Sequence, residues 1–598
     1  MTAYTEGEEP RVAGEMKFTR EQQDYIDSPL DRHVYLKACP GSGKTEVVAA
    51  KVCKTVREWS RYPSGIAVLT FSNSATDELR GRVRKYLGEP IGLPHCISTF
   101  DSFVLSRLVA NIAIELTSYK GKDGDFRIRI LEKTADIYRT HHPICDRKIS
   151  ACRYNYDLET ARFVFSTGER GLDNQLNAVE IAGDTLKDLV ATKKRLWQGG
   201  FATYGDIDML ALMALKDKRF DGYFSRVACR FPVLIVDECQ DLSAEQLQIV
   251  KRLSAFGVTF HFIGDLNQSI YGFRKSNPAR VGRLMEELKF KPYELTANWR
   301  SGQAIVDVCA SIIGTGKITG NPGIPSVQPK ILEYQRCPSE LLTTIRAMTQ
   351  AYSKVVLVAR GHTTLQRLRN GETFEGIELL AVACISAGAG SLKDIKESLK
   401  TFAKWLAEKL ELQVTKAGPY CPVAMESKLA WRKFIHDSLK FMVANGAGNP
   451  DQTWSAWVRT AKLAIRKLPD QAFIPAEIRD ELESLRALNL VARPGQGAKL
   501  VSVRLMSQED QDGQPDNLRY ETIHQVKGET HDVTVVVSSL KSGKYHSHWQ
   551  DWLRDRESEA TRFAYVASSR PQHMLIWAVK KLKPADRPVL AQLGFELP

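Results

Sequence analysis

Seven consecutive residues, Cys39-Pro40-Gly41-Ser42-Gly43-Lys44-Thr45, follow the strand-like run His33–Ala38 and precede the helical run Glu46–Val56. A strand, a glycine-rich loop and a helix in that order are what a polyphosphate site requires. The glycines let the backbone approach the phosphates, and amide N–H groups at the helix start meet their charge. Lys44 is placed to reach the β- and γ-phosphates, and the Thr45 hydroxyl to ligate Mg²⁺. Ala38 stands where such a loop usually opens with glycine. The competing reading is a glycine-rich turn with a solvated lysine. Its complement lies further on: the apolar run Val233–Val236 ends in Asp237-Glu238-Cys239-Gln240-Asp241. A carboxylate at the end of a buried strand suits Mg²⁺, the role expected of Asp237. Glu238 beside it is placed to orient and deprotonate an attacking water. Both halves of a nucleotide site occur in order, which points to an ATPase using ATP and Mg²⁺.

These residues need elements to position them. Two regions alternate β-branched runs with helical patterns, as parallel α/β sheets do. The first covers 1–103 and 203–285, with strands expected at His33–Ala38, Gly65–Phe71, Val233–Val236 and Val258–Ile263. The second covers 286–375 and 515–598, beginning near Tyr293 and including Val355–Val358, Val533–Val537 and Met574–Trp577. Residues 104–202 and 376–514 interrupt them and read as mainly helical insertions. In the later one, Leu392, Ile395, Leu399, Phe402, Leu406 and Leu410 recur at three- and four-residue steps, a core-packing stripe. The fold class expected is α/β: two parallel-sheet P-loop domains, each carrying an inserted helical subdomain.

Composition narrows the class. With 598 residues, 43% hydrophobic and 26% charged, the chain has the balance of a folded protein of about three to five domains. A formal charge of +13 favours a polyanionic partner without naming one. No apolar run approaches the about 18 residues of a membrane span, and Leu379–Ile385 is far too short, so no membrane role is expected. The N-terminus, MTAYTEGEEP, lacks the basic and apolar regions of a signal peptide. Eleven cysteines without a CxxC pair suit a reducing cytoplasm. Cys145 and Cys152, close to His141 and His142, match no zinc spacing and read as structural. The cluster Lys193-Lys194-Arg195 reads as a solvated helix face.

The motifs together resemble the UvrD/Rep-type helicases of superfamily 1, whose domains are RecA-like. Phe18-Thr19-Arg20-Glu21-Gln22 looks like the Q motif, in which Gln22 would read the adenine edge. Thr70–Ala75 and Ser98–Asp101 look like early DNA-contacting motifs. Gly264–Arg274 is similar to motif III, Asn298-Trp299-Arg300-Ser301 to motif IV, Thr522–Gly528 to motif V and Tyr565–Arg570 to motif VI. The resemblance implies that Gln268 senses the γ-phosphate, Arg300 and Arg570 act as arginine fingers, and Trp299 stacks on adenine. It places Gly528 and Glu529 at the nucleotide, with the ribose-contacting carboxylate displaced from its usual position or lost. Phe71, Asn73, Phe100, Phe273, Arg274 and His524 become candidate contacts to DNA, with core packing the competing reading for the phenylalanines, above all Phe71 and Phe100. Asp101 stands where a histidine is usual, and Leu266 and Asn267 replace an acidic pair. Such variants resemble helicase-like subunits encoded beside OLD-type nucleases in bacterial anti-phage systems such as Gabija.

Three functions follow as expectations. The first is an ATP-dependent helicase or translocase, 3′→5′ by resemblance, on single-stranded or tailed duplex DNA, in repair or anti-phage defence. The second is a DNA-stimulated ATPase that senses ends or regulates a partner nuclease. The third, a DNA-binding scaffold with a dead nucleotide site, conflicts with the intact set Lys44, Thr45, Asp237, Glu238, Gln268, Arg300 and Arg570.

Overall fold

In the computed structural model, residues 18–598 are described except 123, 158–159, 271, 273–276, 371–375, 389–391, 415–419, 426, 493–496, 499–500, 502–517 and 544–546. The first sheet has six parallel strands: β1 (Val34–Ala38), β2 (Ile66–Thr70), β3 (Cys96–Thr99), β4 (Val233–Val236), β5 (Thr259–Gly264) and β6 (Lys291–Leu295). Their spatial order is β6-β1-β5-β4-β2-β3. Sequence parity divides the core. Val34, Leu36, Val68, Ile235 and Ile263 pack on one face, Leu69, Leu234, Val236, Phe260 and Phe262 on the other. Both faces are covered, so the central strands are continuous apolar runs.

One expectation is corrected by the pairing. The strand around Tyr293, expected to open the second core, pairs in parallel with β1 and closes the edge of the first sheet. Its sequence, Lys-Pro-Tyr-Glu-Leu, fits an edge: the proline cannot donate to a ladder and the charged residues face solvent. The first core therefore reaches Leu295 rather than 285.

The second sheet has five parallel strands: β7 (Lys330–Tyr334), β8 (Val355–Ala359), β9 (Leu518–Thr522), β10 (His531–Val537) and β11 (Pro571–Lys580). They are ordered β7-β11-β10-β8-β9. Helices Gln303–Ile313 and Glu559–Ser568 cover one face with Ile305, Val308, Ile312, Phe563 and Val566.

Within 104–202, helices occupy the ends, and the middle differs from the helical expectation. There an antiparallel hairpin pairs Tyr154–Asp157 with Arg162–Phe165. Tyr154 faces Phe165 and Tyr156 faces Phe163, an aromatic period of two that four-residue strands are too short to announce. Lys193 is not solvated: it is 4% exposed and pairs with Asp206 at 2.7 Å. Lys193 also lies 5.0 Å from the Tyr154 ring centroid.

A second compact unit comprises residues 335–343 and 365–517. Its helices Ile377–Gly388, Leu392–Lys409, Lys428–Met442 and Trp454–Arg466 enclose Trp405, Trp431, Trp454 and Trp457. Phe402 and Leu406 of the periodic stripe are fully buried there, with Leu399 and Leu410 packed against them. The side chain of Leu392 lies outside the described residues. No helix among the described residues is long and apolar enough to cross a membrane. Nor do they hold a group of three His, Cys, Asp or Glu side chains fit for a metal ion.

Candidate nucleotide and DNA site

The loop between β1 and helix Lys44–Arg57 wraps the helix start. Gly41 and Gly43 have φ of +74° and +77°, conformations that L side chains rarely adopt. Gly43 is also the N-cap, and no side chain caps the helix, so its first amides are left for a ligand. The Ser42 hydroxyl is buried and has no hydrogen-bond partner among the described residues. Gln22 ties the loop down from outside: its Nε2 donates to Ser42 O at 3.1 Å, while its Oε1 accepts from Thr19 N at 3.0 Å. Its amide is therefore committed to the loop and to a capping box.

Lys44 points at the carboxylates after β4. Its Nζ lies 3.2 Å from Asp237 Oδ1 and is also paired with Glu238. Burial alone would depress the lysine, but Asp237 and Glu238 carry its pKa above the ordinary value. Burial would raise Glu238, yet Lys44 and then Lys527 hold it down to about 2. Asp237 goes the other way, raised chiefly by burial. Glu238 takes a left-handed conformation, φ +53° and ψ +41°, that a non-glycine residue adopts only under tertiary constraint. Gln240 donates to its second oxygen.

Across from the loop stand the two arginines of the second half. Trp299 donates its N–H to Gly41 O at 2.8 Å. Asn298 Oδ1 accepts from Arg300 N at 2.7 Å and Ser301 N at 2.9 Å. The approach is close enough that a Cβ on Gly41 would lie 2.6 Å from Arg300 Cβ. Arg300 donates to Ser569 O at 2.9 Å, and Arg570 Nη2 to Gln268 Oε1 at 3.2 Å. Burial, then repulsion from Arg570, pushes Arg300 down to about 9. Burial likewise lowers Arg570, which is 1% exposed. The indole of Trp299 is half exposed.

Several contacts that join the two cores were invisible in sequence. Tyr565 donates to Asp265 at 3.0 Å, and Gln268 to the same oxygen at 3.0 Å. Arg562 donates to Ser269 O at 2.6 Å, and Glu559 accepts from Gly272 N at 3.0 Å. Lys527 and Asp241 form a buried ion pair at 2.5 Å. Burial nevertheless raises Asp241 to about 6. Most of these partners sit inside a recognisable motif, but Arg562 and Glu559 lie outside all of them and carry no such signal.

The structure separates the other expected residues. Thr45 is half-buried on the first turn of the loop helix. Phe71 and Asn73 follow the C-terminal end of β2, with Asn73 exposed. That edge is where open α/β sheets bind ligands. His524 Nε2 donates to Ile270 O at 3.1 Å, so its ring is engaged with motif III. Phe273 and Arg274 lie outside the described residues. Two expectations fail. Phe100 is 5% exposed and packs with Leu69, Phe103 and Leu108, leaving no face for a base. Glu529 is held by a bidentate pair to Arg519, at 2.7 and 2.8 Å, and lies 3.2 Å from His531. Its carboxylate is thus used inside the second core rather than at a ribose, while Gly528 beside it is exposed at φ +89°. Phe100→Ala is expected to destabilise by about 3–5 kcal/mol in urea unfolding, the range for truncating a buried phenylalanine. Its folded fraction should bind oligothymidylate as the wild type does.

A phosphate loop on one parallel sheet, faced by arginines from a second, defines a P-loop protein of two RecA-like cores. Residues 18–289 match the UvrD/REP helicase N-terminal domain, and over that part the chain is similar to the UvrD/Rep helicases. It is 28% identical over 282 residues to the ATP-dependent DNA helicase Rep of Buchnera aphidicola, covering 46% of this chain and 41% of that protein. The PcrA helicase of Leuconostoc citreum is 25% identical over 287 residues, 46% of this chain and 36% of PcrA. Escherichia coli Rep is 24% identical, with 46% and 40% covered. The chain thus matches less than half the length of these relatives.

Proposed function

We propose that this chain is an ATP-dependent DNA helicase or translocase that moves 3′→5′ on single-stranded or tailed duplex DNA. One observation carries the reading: the segment with Arg300 crosses from the second core to lie against the loop at Gly41, beside an uncapped helix start, with Arg570 on Gln268 and Lys44 on Asp237 and Glu238. Cations gathered round the free amides of a helix start suit a bound polyanion. The triphosphate of ATP fits, with Lys44 moving from the carboxylates to the phosphates and Glu238 freed to orient a water. Thr45 and Asp237 would hold Mg²⁺, which neutralises phosphate charge when bound. Trp299 offers a face to adenine. Phe71 and Asn73 would line the DNA path, and Phe273 and Arg274 are further candidate contacts by their motif alone.

The arginines belong to the second core and the loop to the first, so hydrolysis depends on how closely the two cores meet. Strand displacement on 3′-tailed and 5′-tailed duplexes, with ATPase measured alongside, tests the reading. Displacement from the 3′ tail alone is expected; displacement only from a 5′ tail overturns the polarity, and no DNA-stimulated hydrolysis overturns the function.

A second reading has its own support. Asp101, in place of the usual histidine, accepts a hydrogen bond from Gln246 at 2.8 Å. With Phe100 buried beside it, this motif offers DNA little. A DNA-stimulated ATPase that regulates a nuclease partner would show hydrolysis without displacement.

A further inference from the structure

Helix Arg20–Ile26 is tied into the nucleotide site at more points than Gln22 needs. On the same turn, Glu21 accepts two hydrogen bonds from Thr296: from its N–H at 2.8 Å and from its hydroxyl at 2.6 Å. Thr296 begins the segment that leaves β6 and reaches Arg300 four residues later. That segment runs along the phosphate loop. Cys39 donates its N–H to Leu295 O at 3.4 Å, and Trp299 donates to Gly41 O at 2.8 Å. The loop therefore grips the segment along its length, and Glu21 grips it at its origin.

The helix that carries Glu21 is itself anchored. Lys51, on the loop helix Lys44–Arg57, is 3% exposed and donates to Ile26 O at 3.0 Å and also to Ser28 O. A cation against the last carbonyls of a helix complements the negative end of its dipole. Lys54 of the same helix pairs with Asp27, the C-cap. Glu21 thus stands on an element fastened to the loop helix below and to the loop through Gln22.

We propose that Glu21 is a positioning residue for phosphoryl transfer: through Thr296 it fixes where the segment, and hence Arg300, stands over the phosphate loop. It touches neither nucleotide nor reacting atoms. The inference rests on the ATP-hydrolysing reading above. Arg300 would stabilise charge that develops in the transition state, so its placement governs kcat more than nucleotide affinity.

The test is a double-mutant cycle on the full chain. ATP hydrolysis with saturating oligothymidylate is compared for wild type, Glu21→Ala, Thr296→Val and the double variant, with thermal melting on each. Glu21→Ala is expected to lower kcat by about ten- to a hundredfold, the effect of a misplacement of about 1 Å, with KM for ATP changed less than about threefold. Thr296→Val should cost less, because the N–H bond survives, and should cost nothing further in the double variant. Glu21→Gln keeps an acceptor oxygen and should recover most of kcat; should Glu21→Ala not fold, Glu21→Leu, which also lacks an acceptor, takes its place in the cycle. Fully additive losses, or a raised KM with unchanged kcat, overturn the inference. So does a kcat for Glu21→Ala within about twofold of wild type. Absence of turnover in the wild type overturns the parent reading instead.

Discussion

Arg570→Ala is expected to lower kcat for ATP hydrolysis by about 10³–10⁵-fold, the range for an arginine finger. The side chain is fully buried, and three acceptors hold its fork: Gln268 Oε1 at 3.2 Å, Ser569 Oγ at 2.8 Å and Val566 O at 2.8 Å. Its orientation is thus set before any ligand arrives, which is what makes a charge effective in a desolvated site. Arg570→Lys should not rescue, because an ammonium cannot serve three acceptors in the plane of a guanidinium. KM for ATP should move little. Steady-state hydrolysis with and without oligothymidylate measures both, and a loss smaller than about tenfold would remove Arg570 from the reaction.

Lys44→Ala is expected to cut hydrolysis by at least about 10³-fold, since the main charge on the phosphates is lost. It should also change stability in a pH-dependent way. In the wild type Lys44 and Lys527 hold Glu238 at about 2, below its ordinary 4.5. A carboxylate depressed by folding contributes stability above its unfolded pKa and loses it as pH falls through the folded one. The stability gap between wild type and variant should therefore be present at neutral pH and narrow on acidification from about 4.5 toward 2. Asp237, raised by burial, opposes this. With Glu238 also partly exposed, the gap at neutral pH should be about 1–3 kcal/mol. Urea unfolding across that pH range reads it. Wild-type turnover in the variant would sink the site assignment.

The nucleotide site was legible because phosphate binding needs particular residue types in one short stretch. Cys39–Thr45 and Val233–Glu238 each carry their strand, turn and chemistry together. The bonds that join the cores were not legible, because their partners lie far apart in the chain. Nothing local to Tyr565 points to Asp265, and nothing local to Lys527 points to Asp241. Phe100 misled for a related reason. It follows β3 and so sits at the ligand-binding end of the sheet, but the turn of its helix aims it at Leu69 and Phe103. Position along a strand is readable, whereas the inward or outward direction after a turn depends on packing. Tyr293 was assigned to the wrong core because a polar edge strand looks the same at the rim of either sheet.

The placement of β6 has a mechanical consequence. The chain leaves the first sheet at the strand next to β1, beside the phosphate loop, and crosses to the second core there. The crossing is therefore a fulcrum set against the phosphate loop. A rotation of the second core about this point would leave Arg300 close to the loop and displace most the residues that lie furthest from the crossing.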